Sequence, residues 1–269
     1  MTRFIGSAFR LDRMNAVTTS PSVEDSRSTK AIREPTETMK TIGLIGGMSW
    51  ESSIEYYRIV NEEVRARLGG LHSARCVLWS VDFAEIEPLQ QQGNWDEAAE
   101  KLIAAARSVA AAGADFVVLS TNTMHKVADR MEAALAIPLL HIADATARTI
   151  QAEGLGKVGL LGTRFTMEED FYKGRLVEEH GLEVLTPTDR EQDLIHRVIY
   201  DELCLGRVEP SSRARYREVI DSLVRRGAQG IILGCTEIGL LITEGDAAVP
   251  LFDTTRIHAV AAVELALGP

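Results

Sequence analysis

The sequence predicts an α/β protein of two pseudo-symmetric domains, each a mostly parallel sheet flanked by helices, with the active site in the crevice between them. Three observations carry that expectation. From Thr41 onward, short β-branched or leucine-rich runs alternate with longer helical patterns. The runs near Phe116 and Gly230 are apolar throughout, as strands covered on both faces must be. Landmarks of the first half recur, in the same order, in the second.

In chain order, strands are expected to start near Thr41, Ala74, Phe116, Leu139, Val158, Glu183, Gly230 and Leu251. Among the helix signals, Asn94 with Glu97 has the spacing of a capping box, and Gly113, Gly154, Gly181 and Gly227 sit where helices should stop. The repeat has three parts. Gly43-Leu44-Ile45-Gly46 matches Gly159-Leu160-Leu161-Gly162, the segment from Gly113 to Thr121 matches Gly227 to Cys235 without a gap, and Ile137-Pro138-Leu139 matches Val249-Pro250-Leu251. Thr121 and Cys235 are therefore equivalent residues, each just past a buried strand, and are expected to face one crevice from opposite sides.

Residues 1–39 are rich in Ser, Thr, Arg and Glu without periodicity and read as a flexible extension. Arg3, Arg10 and Arg13 stand there against one acid, but with no amphipathic helix, so a mitochondrial leader is not supported. A hydrophobic content of 45% and a charged content of 25% are those of a soluble globular chain. The net charge of -10, with dispersed basic residues, disfavours nucleic acid. No apolar run approaches the roughly 20 residues of a membrane span. The three cysteines show neither a disulfide framework nor metal spacing, and the six histidines are unpaired, so the expectation is a cytoplasmic protein without a metal.

Cys235 is the candidate catalytic thiol. It follows Gly234 at a strand-to-helix turn, where free N–H groups and the helix dipole favour a thiolate. Thr236 beside it is a candidate carboxylate binder. Cys76 and Cys204 lie in apolar contexts and read as core. Thr121, Asn122 and Thr123 present hydroxyls and an amide where a helix begins, although helix capping alone explains such residues. His125 is a candidate proton relay. The loops after Gly46 and Gly162 lack a complete GxGxxG or P-loop, which argues against a nucleotide. They instead offer Met48, Ser49, Thr163 and Thr166 to a small polar substrate, with Arg164 as an accessory cation.

Four segments together resemble the aspartate/glutamate racemases, and more closely their broad-specificity amino-acid racemase branch: Gly43 to Ser52, Thr121 to His125, Leu160 to Met167 and Leu233 to Glu237. The resemblance spans Thr41 to about Ala266. It implies a homodimeric isomerase acting on an amino acid of the aspartate/glutamate/homoserine class, without pyridoxal phosphate or metal. It also implies that the last strand and helix return to the first domain, giving residues 40–145 plus 252–269 as one domain and 146–251 as the other. In the family two cysteines flank the substrate α-carbon, one removing the proton and the other supplying one to the opposite face. Cys235 matches the second, whereas the first falls on Thr121. The implied substrate contacts are Met48, Ser49, Asn122, Thr123, Thr163, Thr166, Thr236 and Glu237. Aspartate-specific relatives tend to carry an arginine after the aspartate of the loop where this chain reads Val81-Asp82-Phe83-Ala84, so a side-chain clamp is missing here. The alternatives are a single-thiol decarboxylase or cis-trans isomerase of small diacids, and a non-catalytic small-ligand binding protein.

Overall fold

The computed structural model describes residues 39–268. The expected extension over residues 1–39 lies outside the described residues except for Met39, which is packed against the first sheet's core.

Among the described residues, eight parallel strands form two sheets of four. The first holds β1 (Ile42–Gly46), β2 (Cys76–Ser80), β3 (Phe116–Leu119) and β4 (Leu139–Leu140); the second holds β5 (Lys157–Gly162), β6 (Glu183–Leu185), β7 (Ile231–Gly234) and β8 (Leu251–Asp253). Their orders, β2-β1-β3-β4 and β6-β5-β7-β8, are identical when the halves are superposed strand for strand. The sequence repeat is thus a repeat of topology. All eight strands lie where expected, the widest discrepancy being Ala74 against the observed Cys76.

The helices are α1 (Trp50–Leu68), α2 (Phe83–Gln91), α3 (Trp95–Ala111), α4 (Ala128–Ala134), α5 (Ile142–Ala152), α6 (Arg164–Glu168), α7 (Asp170–Glu178), α8 (Asp189–Asp201), α9 (Pro210–Arg225), α10 (Ile238–Leu241) and α11 (Thr254–Leu267). Short 3-10 turns at Thr123–Val127 and Leu203–Leu205 complete the region around the crevice. β3 and β7 are buried along their whole length because helices cover both faces of each sheet. Gly113, Gly154, Gly181 and Gly227 do end α3, α5, α7 and α9, with φ of 95°, 74°, 66° and 99°, the left-handed region in which a Cβ is strained. At Asn94 the expected capping box does not form. The residue precedes α3, but its Nδ2 donates to Glu97 Oε2 at 2.9 Å, so the two side chains pair with each other.

The crevice end of each sheet depends on close backbone approach. A Cβ on Gly234 would lie 2.8 Å from Leu161 O, and one on Gly162 would lie 2.9 Å from Gly234 O. Only glycines allow β5 and β7 to close together immediately before Cys235. The last elements part company. α11 returns to the first sheet, where Ala259, Ala262, Val263 and Ala266 join a core with Ile42, Leu44, Tyr56 and Val60. β8 does not return: Leu251 pairs with Ile231 and Phe252 with Ile232, and Phe252 is buried in the second core. Phe252 and Asp253, expected with the first domain, therefore belong to the second sheet.

Candidate active site

The C-terminal ends of β1, β3, β5 and β7 open onto one crevice. Met48 lines it from the loop after β1, Thr121, Asn122 and Thr123 from the loop after β3, Thr163 from the loop after β5, and Gly234 to Glu237 from the loop after β7. Thr121 and Cys235 thus reach the same space from equivalent strand ends. The two halves touch across it, with the hydroxyls of Thr123 and Thr163 hydrogen-bonded at 3.0 Å.

Cys235 is buried, and its Sγ–H donates to Glu237 Oε2 at 2.9 Å. Burial, then the charge of Glu237 and the neighbouring Cys204, push the thiol well above its ordinary value. The resting group is therefore a thiol, which corrects the expectation of a thiolate favoured by a helix N-terminus. The helix beyond it, α10, has only four residues, and a carboxylate rather than a donor faces the sulfur.

Glu237 is 1% exposed and takes hydrogen bonds from Thr236 Oγ1 at 2.9 Å, Ser49 Oγ at 2.7 Å and Ser49 N at 3.3 Å, besides the thiol. Its oxygens are thus occupied by protein donors. Expected as a substrate contact, it lines the crevice and is at the same time the hydrogen-bond partner of Cys235. Ser49, also expected to offer its backbone to substrate, spends both its N–H and its hydroxyl on this carboxylate. Thr166 stands behind Thr163, their hydroxyls 3.2 Å apart, and does not line the crevice.

Asn122 is oriented without ambiguity. Thr254 gives its hydroxyl proton to Leu233 O at 2.8 Å and so must accept at 3.0 Å from Asn122 Nδ2. That leaves Asn122 Oδ1 buried with no partner among the described residues. It is an acceptor suited to an ammonium group.

Two accessory candidates fail. His125 Nδ1 donates to Thr121 O at 2.7 Å, and its Nε2 accepts from Ile142 N at 3.2 Å. Both ring nitrogens are committed to backbone, and burial with nearby His141 and His258 keeps the ring neutral, so it cannot relay protons. Arg164 pairs with Glu168 at 2.5 Å and with Asp193, and it does not line the crevice.

Sequence reasoning missed Phe83, Gln90, Ile199, Tyr200 and Cys204, all of which line the crevice. Gln90 and the two α8 residues carry no local signal, because only tertiary packing brings their helices there. Tyr200 donates to Gln90 Oε1 at 3.1 Å, and Gln90 donates to Met124 Sδ at 3.0 Å. Cys204, read as core, is a second thiol in the crevice, held high by burial.

Asp144, Glu179 and His180 bring ligand atoms within 4.8 Å of one another. Arg175 already binds both Asp144 oxygens, at 2.7 and 2.9 Å, and lies 3.4 Å from Glu179, supplying the positive charge itself. No helix among the described residues is long and apolar enough to cross a membrane.

The family model for Asp/Glu/Hydantoin racemase matches residues 45–262. The chain is 24% identical over 176 residues to the broad specificity amino-acid racemase RacX of Bacillus subtilis (strain 168), covering 64% of this chain and 74% of that one. The crystal structure of a candidate Asp/Glu racemase from Yersinia pestis is 60% identical, with a TM-score of 0.80, and the match covers 86% of this chain and all of that one (100%). An aspartate racemase homologue from Pyrococcus horikoshii OT3 is 36% identical, with a TM-score of 0.74 and coverages of 86% and 100%. On the extent of these matches and the shared two-sheet architecture, this chain belongs to the Asp/Glu/hydantoin racemase family.

Proposed function

We propose that the protein is an amino-acid racemase that works without pyridoxal phosphate or metal, using Cys235 as thiol base and acid and Thr121 at the opposite face of the α-carbon. The observation that carries this reading is the placement of Thr121 and Cys235 at equivalent strand ends on one crevice, with Cys235 hydrogen-bonded to a buried carboxylate. Among the described residues no lysine lines the crevice, which supports a reading without an aldehyde cofactor anchored as an imine. Asn122 Oδ1 supplies an acceptor for the substrate ammonium. The hydroxyl chain of Thr166, Thr163 and Thr123, with three protons for two internal bonds, leaves Thr123 a proton for the α-carboxylate, whereas the Thr236 hydroxyl is spent on Glu237.

The proton accounting follows from the resting state. Cys235 first passes its thiol proton to Glu237, and the thiolate then takes the α-proton from one enantiomer. The resulting carbanion receives a proton on the other face from the Thr121 hydroxyl, and the proton on Glu237 then passes through solvent to the Thr121 alkoxide, so that thiol, carboxylate and alcohol are all restored. The Thr121 hydroxyl makes no hydrogen bond among the described residues, which leaves it available. In the reverse direction Thr121 would have to act as base, a task for which an alcohol is far weaker than a thiol.

Two variants test these roles. Thr121→Cys is expected to bring the forward and reverse rates of racemisation closer together, read by chiral chromatography from each pure enantiomer; complete loss of activity would remove Thr121 from the proton path. Glu237→Gln keeps the shape but cannot accept the thiol proton, and is expected to lower kcat by about 100-fold, the usual scale of general-base loss. The loss should shrink as pH rises, because hydroxide then forms the thiolate. A uniform loss across pH would assign Glu237 a packing role only.

A further inference from the structure

The crevice wall formed by α2, α8 and the Leu203–Leu205 turn is uncharged, although the crevice must accept a charged amino acid. Phe83, Ile199, Tyr200 and Cys204 line this side, on elements other than the strand-end loops whose hydroxyls and amide suit the ammonium and α-carboxylate. No lysine or arginine is among the lining residues. The cations carried by the crevice loops are engaged elsewhere: Arg164 with Glu168 and Asp193, and Lys126 with Glu169 and over the Trp95 ring at 4.2 Å. The lining carboxylate, Glu237, offers no counter-charge to an acid, and its oxygens are filled by protein donors.

We infer that Phe83, Tyr200 and Cys204 form a side-chain subsite that selects amino acids with uncharged side chains over aspartate and glutamate. This rests on the racemase reading above and narrows its substrate class. A side-chain carboxylate placed here would lose its water, meet no counter-charge and face Glu237, the costly case of an unpaired buried ion. An uncharged group meets no such penalty. Aliphatic carbons contact Phe83 and Ile199. A hydroxyl or amide N–H can donate to the oxygen of Tyr200, whose own proton is spent on Gln90. Burial holds the Cys204 thiol protonated, so it adds no charge.

The test uses pairs that differ in charge but hardly in shape: asparagine against aspartate and glutamine against glutamate, with homoserine as a third neutral ligand. Binding is measured by titration calorimetry and turnover by α-proton exchange, both on the full chain. The expected result is a preference of at least about 100-fold for each amide over its acid, in binding and in kcat/KM. Phe83→Arg should raise aspartate binding relative to asparagine by at least about 10-fold, with circular dichroism confirming that the variant is folded. Acids handled as well as, or better than, their amides would overturn the subsite while leaving the racemase reading intact. Neutral ligands that bind without exchange would sustain the subsite and remove the racemase reading. Failure of both classes to bind would overturn the subsite.

Discussion

Cys235→Ala is expected to abolish α-proton exchange and racemisation, with a fall of at least about 1,000-fold in kcat, while the protein stays folded. The side chain is small and buried at the end of β7, so its truncation removes one sulfur from a region otherwise held by β-sheet pairing and by the Ser49 and Thr236 bonds to Glu237. Cys235→Ser should be nearly as inactive, because a hydroxyl cannot give up its proton to a carboxylate as a thiol can. Cys204→Ala provides the internal control. It removes the other crevice thiol and, as a subsite change, should alter substrate preference without stopping exchange. Activity that survives in Cys235→Ala but not in Cys204→Ala would exchange the roles of the two thiols.

The second large effect concerns stability in acid. Three histidines cluster beneath Thr121: the His125 ring lies 4.5 Å from that of His141 and 5.9 Å from that of His258. Each is held neutral by an acceptor role that protonation would destroy. His258 Nδ1 accepts from Tyr56 Oη at 2.9 Å while its Nε2–H donates to Leu140 O, and His141 Nδ1 caps α5 by accepting from Ala143 N at 3.2 Å. Burial lowers His258 to about 4 and, with Arg175 nearby, lowers His141 to about 3. His125 also lies well below the ordinary value, again chiefly through burial.

These folded-state values lie below the roughly 6.5 of a free histidine, so as pH falls the unfolded chain takes up protons first. Their contribution is fully present above about pH 6.5 and is lost progressively towards pH 4, at about 1.4 kcal/mol per pH unit for each histidine and about 4 for the three. Denaturant unfolding at pH 7, 6, 5 and 4.5 should therefore show a steep decline below 6.5. A flat profile over that window would mean that the folded cluster takes up protons over the same pH range as the unfolded chain, and so is not held neutral by burial.

The fold was legible because it rests on patterns that sequence displays directly. Fully apolar strands, glycines at helix ends and an ordered repeat are local features, and all eight strand positions followed from them. The strand-end residues of the site were legible for the same reason, since the repeat makes Thr121 and Cys235 equivalent. What sequence could not display was the use of each polar group. Glu237, Ser49 and His125 look available along the chain, yet long-range pairing commits all three to other protein groups. Pairing across a sheet likewise kept Phe252 and Asp253 with β7. Cys204 and Tyr200 were hidden because an apolar helical context looks the same whether it faces a core or a ligand.

The central claim, two-face proton transfer at an amino-acid α-carbon by Cys235 and Thr121, is tested most directly by incubating the wild-type protein with single enantiomers of homoserine, glutamine and glutamate in deuterated water. Proton NMR then follows the loss of the α-hydrogen, and chiral chromatography follows configuration. The account predicts deuterium at the α-carbon of the inverted product, faster from one enantiomer than from the other. Exchange with retention of configuration, or no exchange with any amino acid, would contradict it.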